Sequence, residues 1–370
     1  MVTKRNMKAR IIIGSNYGDE GKGTVTAKYA KSAEGSVLNI LTNGGAQRGH
    51  SVLTKNGSVT YQHFGSATHL NADNYYSCFF ILNPMQFAME YNSLLVKPKI
   101  MRDKNCRWST PYDMMANAIS EEQKGTHATC GMGIWNTIKR YRDCSTIALD
   151  EFVSLPVRMQ LEHLHNVKSY YERTLRVPTH WRDVWDSDTI VQAFLSDCKF
   201  LADTAEPVEV EGLKYDNLLF ENGQGLLLSD TGFNTYDTTP SNTGIAYALS
   251  ILNKMGAAHI DGTPNQGTIL TAHYVTRPYL TRHGDGGMLS ENLRSDISSS
   301  VKEDRTNHWN EFQGEFRYGH LDINKLKARI EQNALNVPYV VEVTHCDEMD
   351  RVSEFKKEFE NVNVTDSAMV

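Results

Sequence analysis

Residues 11–24, IIIGSNYGDEGKGT, decide how this chain is read. Ile11, Ile12 and Ile13 form a β-branched run of the kind that fills a buried strand. Gly14, Gly18, Gly21 and Gly23 then punctuate the stretch around the adjacent carboxylates Asp19 and Glu20, and TVTAKYAK (24–31) continues as a helix. A strand that breaks into glycines and opens a helix directs free backbone N–H groups and a positive dipole end at one point, where a phosphate can sit. The stretch is not a Walker A loop, because GxxxxGK[ST] requires Gly at Asn16 and Ser or Thr at Gly23. A glycine-rich turn with solvated acids is the competing reading. Lys22 beside Gly21, with Asp19 and Glu20 where a phosphate and Mg²⁺ would meet, favours the phosphate site.

The rest of the chain narrows the class. With 370 residues it is long enough for a large core, and its 40% apolar and 22% charged composition is that of a soluble globular protein. The net charge of −6, without a Lys/Arg block, gives no basic field for nucleic acid. No apolar run approaches a membrane span, and the three apolar residues after the basic N-terminus are too few for a signal peptide. The six cysteines, Cys78, Cys106, Cys130, Cys144, Cys198 and Cys346, show neither CxxC nor zinc spacing, so reduced thiols and a cytoplasmic location are expected.

Further strands are predicted in SVLNILTNGG, YDNLLFENGQG, QGTILTAHYVTR and VPYVVEVTHCDEMD, with a hairpin turning at Asn56-Gly57. Helical patterns occupy MQFAMEYNSLL, MANAISEEQ, most of residues 137–205, and INKLKARIEQNAL. TTPSNTGIAYALSIL reads as a helix capped at Ser241 or Asn242, and residues 290–312 as an exposed loop. Strands that end in glycine or polar loops, separated by helices, predict an α/β fold with a mostly parallel central sheet. Ligands of such sheets bind beyond the carboxyl ends of strands. The loops at 14–23, 44–50, 221–225, 282–287 and 344–347 are therefore expected to share one crevice.

Laid out in order, these loops resemble those of the adenylosuccinate synthetase family. GDEGKG (18–23) looks like its phosphate-loop signature, and NGGAQRGH (43–50) like its second, with Gln47 at a usual Asn and His50 at the catalytic His. TCGMGI (129–134) and TTPSNT (238–243) resemble nucleotide-phosphate loops. FENGQGLLLSD (220–230) resembles the segment whose Gln contacts the purine nucleotide, FRYGHLD (316–322) the end of an arginine-rich loop, and THCD (344–347) the base-reading motif. The resemblance covers about residues 10 to 350 and implies a P-loop-like nucleotide-binding fold in one domain, with a helical insertion at about 137–205.

The implied chemistry joins L-aspartate to C6 of a 6-oxopurine nucleotide. The oxygen O6 leaves poorly, so it is first phosphorylated by a nucleoside triphosphate and then displaced by the amine of aspartate. By resemblance Asp19 takes the N1 proton, His50 donates to the departing phosphate oxygen, Lys22 holds phosphates, and Mg²⁺ binds Asp19 and the Gly49 carbonyl. The nucleotide and phosphate set implied is Ser15, Asn16, Gly18, Glu20, Gly21, Gly23, Thr24, Gln47, Gly49, Thr129, Cys130, Arg142, Gln224, Thr239 and Asp347. Arg140 is the alternative to Arg142 as the arginine that, by resemblance, reaches the nucleotide phosphate of the partner subunit, and an exposed helix face remains open for either. Backbone binding by Gln224 in its own turn, and capping by Thr129 and Thr239, also remain open. A homodimer is expected, because the family shares its active site between subunits.

The departures from the family pattern bear on specificity. His345 stands at a guanine-reading Lys in THCD, and the chain stops about where a further guanine contact would begin, which points to ATP or dATP as donor. In NEFQGEFRYG only Arg317 survives of the aspartate-loop arginines, with Arg305 a possible replacement. Phe316 would suit a 2′-deoxy carbon, and Asp285 in RHGDGGM could accept from a 2-amino group. Together these changes look like the phage branch of the family, which acts on dGMP, aspartate and ATP to make a precursor of 2-aminoadenine DNA. On that reading the protein works in the host cytoplasm. An enzyme acting on IMP, and a non-catalytic purine nucleotide binder, are the alternatives.

Overall fold

The computed structural model describes residues 6–55, 57–125, 129–230, 238–304 and 314–366. Its centre is a nine-stranded sheet. The strands are β1 (Met7–Gly14), β2 (Val37–Leu41), β3 (Asp73–Tyr76), β4 (Ile100–Arg102), β5 (Glu206–Pro207), β6 (Asn217–Gly225), β7 (Thr268–Thr276), β8 (Tyr339–Val343) and β9 (Val362–Val364). They lie in the order β5-β4-β3-β2-β6-β1-β7-β8-β9, and every neighbouring pair is parallel. The expected α/β fold with a parallel sheet flanked by helices is the observed one.

The isoleucine run explains why β1 sits in the middle. Side chains alternate along a strand, so Ile11 and Ile13 enter one core with Leu249, Leu326 and Ile330. Ile12 enters the other, with Val25 and Ala30. All three isoleucines are fully buried, as a strand covered on both faces requires. Helix α1 (Lys22–Lys31) supplies Val25 and Ala30 to the second face.

The remaining helices are α2 (Pro84–Ser93), α3 (Pro111–Lys124), α4 (Ile134–Asp143), α5 (Leu149–Ser154), α6 (Val157–Glu172), α7 (Arg182–Trp185), α8 (Asp188–Thr204), α9 (Ala246–Lys254), α10 (Arg294–Ile297), α11 (Ile323–Ala334) and α12 (Val352–Glu358). Helices α4 to α8 match the helical stretch expected from about 137 to 205. Their apolar faces help build a separate core around Trp108, Phe152, Trp185 and Phe194. The hairpin forms between His50–Thr54 and Gly57–Tyr61, and Asn56 lies outside the described residues.

Two local expectations are corrected. Helix α9 starts at Ala246 behind Ile245, with no side-chain cap. Ser241 Oγ instead accepts from Asn43 Nδ2 (3.1 Å), and Asn242 Oδ1 from the Gly244 N–H (3.0 Å), so both residues shape the turn before the helix. Within 290–304 the chain is not simply an exposed loop. Glu291–Asn292 pairs with the strand Phe316–Gly319, and Ile297 and Val301 are buried beside Tyr279 and Tyr318.

Candidate active site

The carboxyl ends of β2, β6, β1 and β7 open into a cleft of about 170 Å³. Its lining includes Tyr17, Gly18 and Asp19 after β1, Gln47 to His50 after β2, Gln224 in β6, and Arg282 and His283 beyond β7. Thr129, Cys130 and Trp135 enter from the start of α4, and Leu228, Thr238, Thr239 and Pro240 from the segments that follow β6. Four of the five loops expected in one crevice thus meet. The fifth does not: neither His345 nor Asp347 lines the cleft, and Asp347 pairs with Lys302 at 3.4 Å.

The phosphate loop gets its shape by backbone contact with β6. The β1–β6 register runs evenly from Lys8 opposite Asn217 to Ile12 opposite Glu221, then shifts so that Gly14 lies opposite Gly225. This irregularity turns Gln224 into a left-handed conformation (φ 60°) at the cleft. A Cβ on Gly225 would come within 2.3 Å of the Asn16 carbonyl oxygen, so only glycine allows the loop to lie this close.

Within the loop the charged residues divide. Asp19 faces the cleft. Burial raises its carboxyl above the ordinary range, while His283, Arg277 and Lys22 pull it back. Arg277 Nε fixes the loop at this residue by donating to the Asp19 carbonyl (2.8 Å). Glu20 points inward and accepts from the N–H groups of Asn16 (3.0 Å) and Gly18 (2.9 Å). Lys22 is buried, donates to the Gly18 carbonyl (2.6 Å) and sits 3.8 Å from Glu20. Asn16 is tied to Thr276 and Arg329, and the Ser15 carbonyl to Arg329. Ser15, Asn16, Glu20, Gly21, Lys22, Gly23 and Thr24 therefore build the loop and the helix start, and none of them lines the cleft.

His50 is almost buried (6% exposed) and its Nδ1 lies 2.5 Å from Glu221 Oε1. Arg48 Nη2 is 2.9 Å from the same carboxylate oxygen, and Ser66 donates to Glu221 through both its N–H (2.9 Å) and its hydroxyl (2.5 Å). Burial pushes the Glu221 carboxyl up, but Arg48, His50 and Ser66 outweigh it and keep it ionised. Burial, followed by Arg48, keeps the His50 imidazole neutral against the pull of Glu221. Glu221 and Arg48 were not singled out in the sequence, although both lie inside quoted motifs. Their signal was a charged residue within an otherwise glycine-rich or apolar strand end.

Several cleft atoms are unmatched among the described residues. Gln47 Nε2, Gln224 Oε1, Thr239 Oγ1 and His283 Nε2 are buried and have no hydrogen-bond partner among the described residues. Thr129 Oγ1 accepts from Asn117 Nδ2 (2.6 Å). Trp135, 49% exposed, stands at the cleft wall.

The arginines that the sequence singles out lie apart from one another. Arg140 is buried and grips both carboxylate oxygens of Asp113 (2.9 Å each), while Arg142 pairs with Asp143 on the surface. Neither lines the cleft. Arg317 pairs with Glu291 and donates to the carbonyls of Gly284 and Gly286, so it braces the glycine turn after β7. Arg305 lies outside the described residues. Arg282, which the sequence reading passed over, does line the cleft, 5.1 Å over the Tyr17 ring. Phe316 packs edge-on against His283 and Tyr318, and Asp285 is exposed; neither lines the cleft.

Comparison with known proteins places the chain among enzymes, and within them among ligases that form a carbon–nitrogen bond. The chain belongs to the adenylosuccinate synthetase family, whose sequence profile matches residues 11–358. It is 25% identical over 314 residues to adenylosuccinate synthetase of Nostoc sp., covering 81% of this chain and 68% of that protein. It is 26% identical over 295 residues to that of Trichormus variabilis, covering 76% of this chain and 62% of the relative. Among solved structures, fully ligated adenylosuccinate synthetase from Plasmodium falciparum superposes with a TM-score of 0.71 at 19% identity, over 94% of this chain and 78% of that one. Cyanophage S-2L succinoaminodeoxyadenylate synthetase, bound to dGMP and dATP, gives a TM-score of 0.64 at 12% identity, over 98% and 92%. Both likenesses describe the fold. No helix among the described residues is long and apolar enough to cross a membrane.

Proposed function

We propose that this protein joins L-aspartate to C6 of a 6-oxopurine nucleoside monophosphate, with IMP as acceptor and a nucleoside triphosphate as phosphoryl donor. The observation that carries the reading is the set of buried, unmatched polar atoms on Gln47, Gln224 and Thr239 around Asp19 and His50 in one cleft. A buried donor or acceptor without a partner is costly. A ligand that carries phosphate or carbonyl oxygens together with a ring N–H, as a 6-oxopurine nucleotide does, would satisfy all three.

In this scheme Asp19, which lines the cleft, takes the N1 proton. The Gln224 carboxamide meets the purine at O6 and N1, Thr239 and Gln47 hold the nucleotide phosphate, and Thr129 sits beside them. His50, its Nδ1 committed to Glu221, turns Nε2 to the cleft as an acceptor; that nitrogen donates to the phosphate oxygen once it has taken up a proton, and the imidazolium is then paired with Glu221. Among the described residues no three His, Cys, Asp or Glu side chains cluster as a metal site. Asp19 and Gly49 nevertheless both line the cleft, and their carboxylate and carbonyl are hard oxygen donors of the kind that would hold Mg²⁺. Mg²⁺ bound there would supply charge neutralisation for phosphoryl transfer. A dimer with a shared site belongs to the same proposal.

The phage-type reaction on dGMP with ATP or dATP is the second reading. The cyanophage enzyme shares the fold over nearly the whole of both chains, which is compatible with it. The two side chains that suggested it from sequence do not support it, since Phe316 and Asp285 stand outside the cleft. The relatives from Nostoc sp. and Trichormus variabilis, both adenylosuccinate synthetases, weigh toward IMP. Purified protein incubated with aspartate, Mg²⁺ and each pairing of IMP or dGMP with GTP, ATP or dATP tests both. Succinylated product from IMP supports the first reading, product from dGMP alone replaces it with the second, and no product from any pair overturns both.

A further inference from the structure

We propose that Arg48 is a positioning residue for His50, acting through Glu221 to hold the imidazole with Nδ1 turned inward and Nε2 toward the cleft. The inference rests on the reading of His50 as the group that meets the transferred phosphate.

Hydrogen-bond bookkeeping carries it. Arg48 Nη2 lies 2.9 Å from His50 Nδ1 and 2.9 Å from Glu221 Oε1, and His50 Nδ1 lies 2.5 Å from that same oxygen. A guanidinium only donates and a carboxylate only accepts. Nδ1 cannot both accept from Arg48 and donate to Glu221. The arrangement in which Oε1 accepts from both leaves no conflict among these three atoms, and it puts the hydrogen on Nδ1. Ser66 adds two further donors, one to each carboxylate oxygen, so Glu221 is surrounded by four. Its orientation is fixed from the buried side by Arg48 and Ser66, and the imidazole follows.

Two features set Arg48 apart from a residue kept for stability. Its Nε and Nη1 are buried with no partner among the described residues, an arrangement that costs free energy. A buried ion pair is in any case often matched or bettered by apolar residues of similar size. The chain also makes room for it, since a Cβ on Gly223 would come within 3.3 Å of Arg48 Cγ. Arg48 and Gly223, on different elements, are fitted to one another beside the catalytic histidine.

The test combines ¹⁵N-histidine NMR of the full, nucleotide-free chain with steady-state kinetics on the substrate pair that the protein turns over. The His50 signal is assigned by its loss in His50→Asn. Wild type is expected to show the Nδ1–H tautomer. Arg48→Met is expected to show mixed tautomers, with kcat down about tenfold to a hundredfold and KM for both nucleotides nearly unchanged. Arg48→Lys, whose ammonium still reaches Glu221, is expected to recover most of both. A pure Nδ1–H tautomer in Arg48→Met, or a kcat within about twofold of wild type, overturns the proposal. Should Arg48→Met not fold, Arg48→Gln, too short to bridge to Glu221 and without the cation, carries the test, and wild-type tautomer and kcat in that variant overturn it equally. Absence of turnover in the wild-type protein would count against the proposed function instead, while the tautomer still decides the role of Arg48.

Discussion

Gly18 lies so close to Gln224 that a Cβ on it would come within 2.8 Å of the Gln224 Cα. Its φ of 110° is also one that L side chains rarely adopt. The neighbour is rigid backbone at the cleft, so the loop would have to withdraw and take Asp19 with it. Gly18→Ala is therefore expected to lower kcat by about a hundredfold, the cost of misplacing a reacting group by an ångström. Steady-state assays alongside thermal melts check this. A variant with wild-type kcat would show that the loop and β6 are not held to each other as described.

Thr239 offers a smaller and cleaner change. Its hydroxyl is buried, lines the cleft and has no partner among the described residues, so Thr239→Val removes only what a ligand would use. The acceptor nucleotide's KM is expected to rise about tenfold, equivalent to one lost hydrogen bond of ~1.4 kcal/mol, with kcat and the melting temperature nearly unchanged. An unchanged KM would remove Thr239 from the nucleotide site.

What the sequence made legible was local. The run Ile11–Ile13 and the glycines after it were enough to place a central strand and its loop, and the same logic located the strands before Gln47, Gln224 and Arg282. Convergence of those loops followed from the rule that parallel sheets bind ligands at their carboxyl edge. Side-chain direction was not legible. His50 and Glu221 stand 171 positions apart, and only the pairing of β6 between β2 and β1 brings them together. Phe316 and Asp285 were read as substrate contacts from their place in a motif. The strand Phe316–Gly319 turns the ring onto His283, and the glycine turn carries Asp285 outward.

Arg140 and Arg142 show the same limit on one helix and separate by experiment. Arg140 is 1% exposed and bidentate on Asp113, whose carboxylate also caps α3 through Thr110 and accepts from Tyr171. Arg140→Met would leave that carboxylate buried without its cation, and is expected to destabilise the fold by about 3–5 kcal/mol. Arg142→Ala, on the solvent face, is expected to leave the denaturation midpoint in urea unchanged. Equal midpoints for the two variants would contradict the buried pair.

Stability should also fall with acid through His63. Its Nε2 accepts the Asn83 N–H (3.0 Å), so the ring is neutral with its hydrogen on Nδ1, which lies 3.0 Å from the Tyr76 hydroxyl. Burial first, and Arg48 second, press its pKa from 6.5 down to about 3. The folded state then binds fewer protons than the unfolded state between those values. The stability tied to a neutral His63 is complete above the unfolded pKa and is lost progressively as pH falls from 6.5 toward 3. At most the slope from this one group is about 1.4 kcal/mol per pH unit. Urea titrations of wild type and His63→Gln across that window measure it. The variant is expected to be less stable near neutrality but to show a shallower acid slope, because glutamine keeps an acceptor for Asn83 and carries nothing to protonate. Parallel slopes for the two proteins would assign the acid sensitivity to other groups.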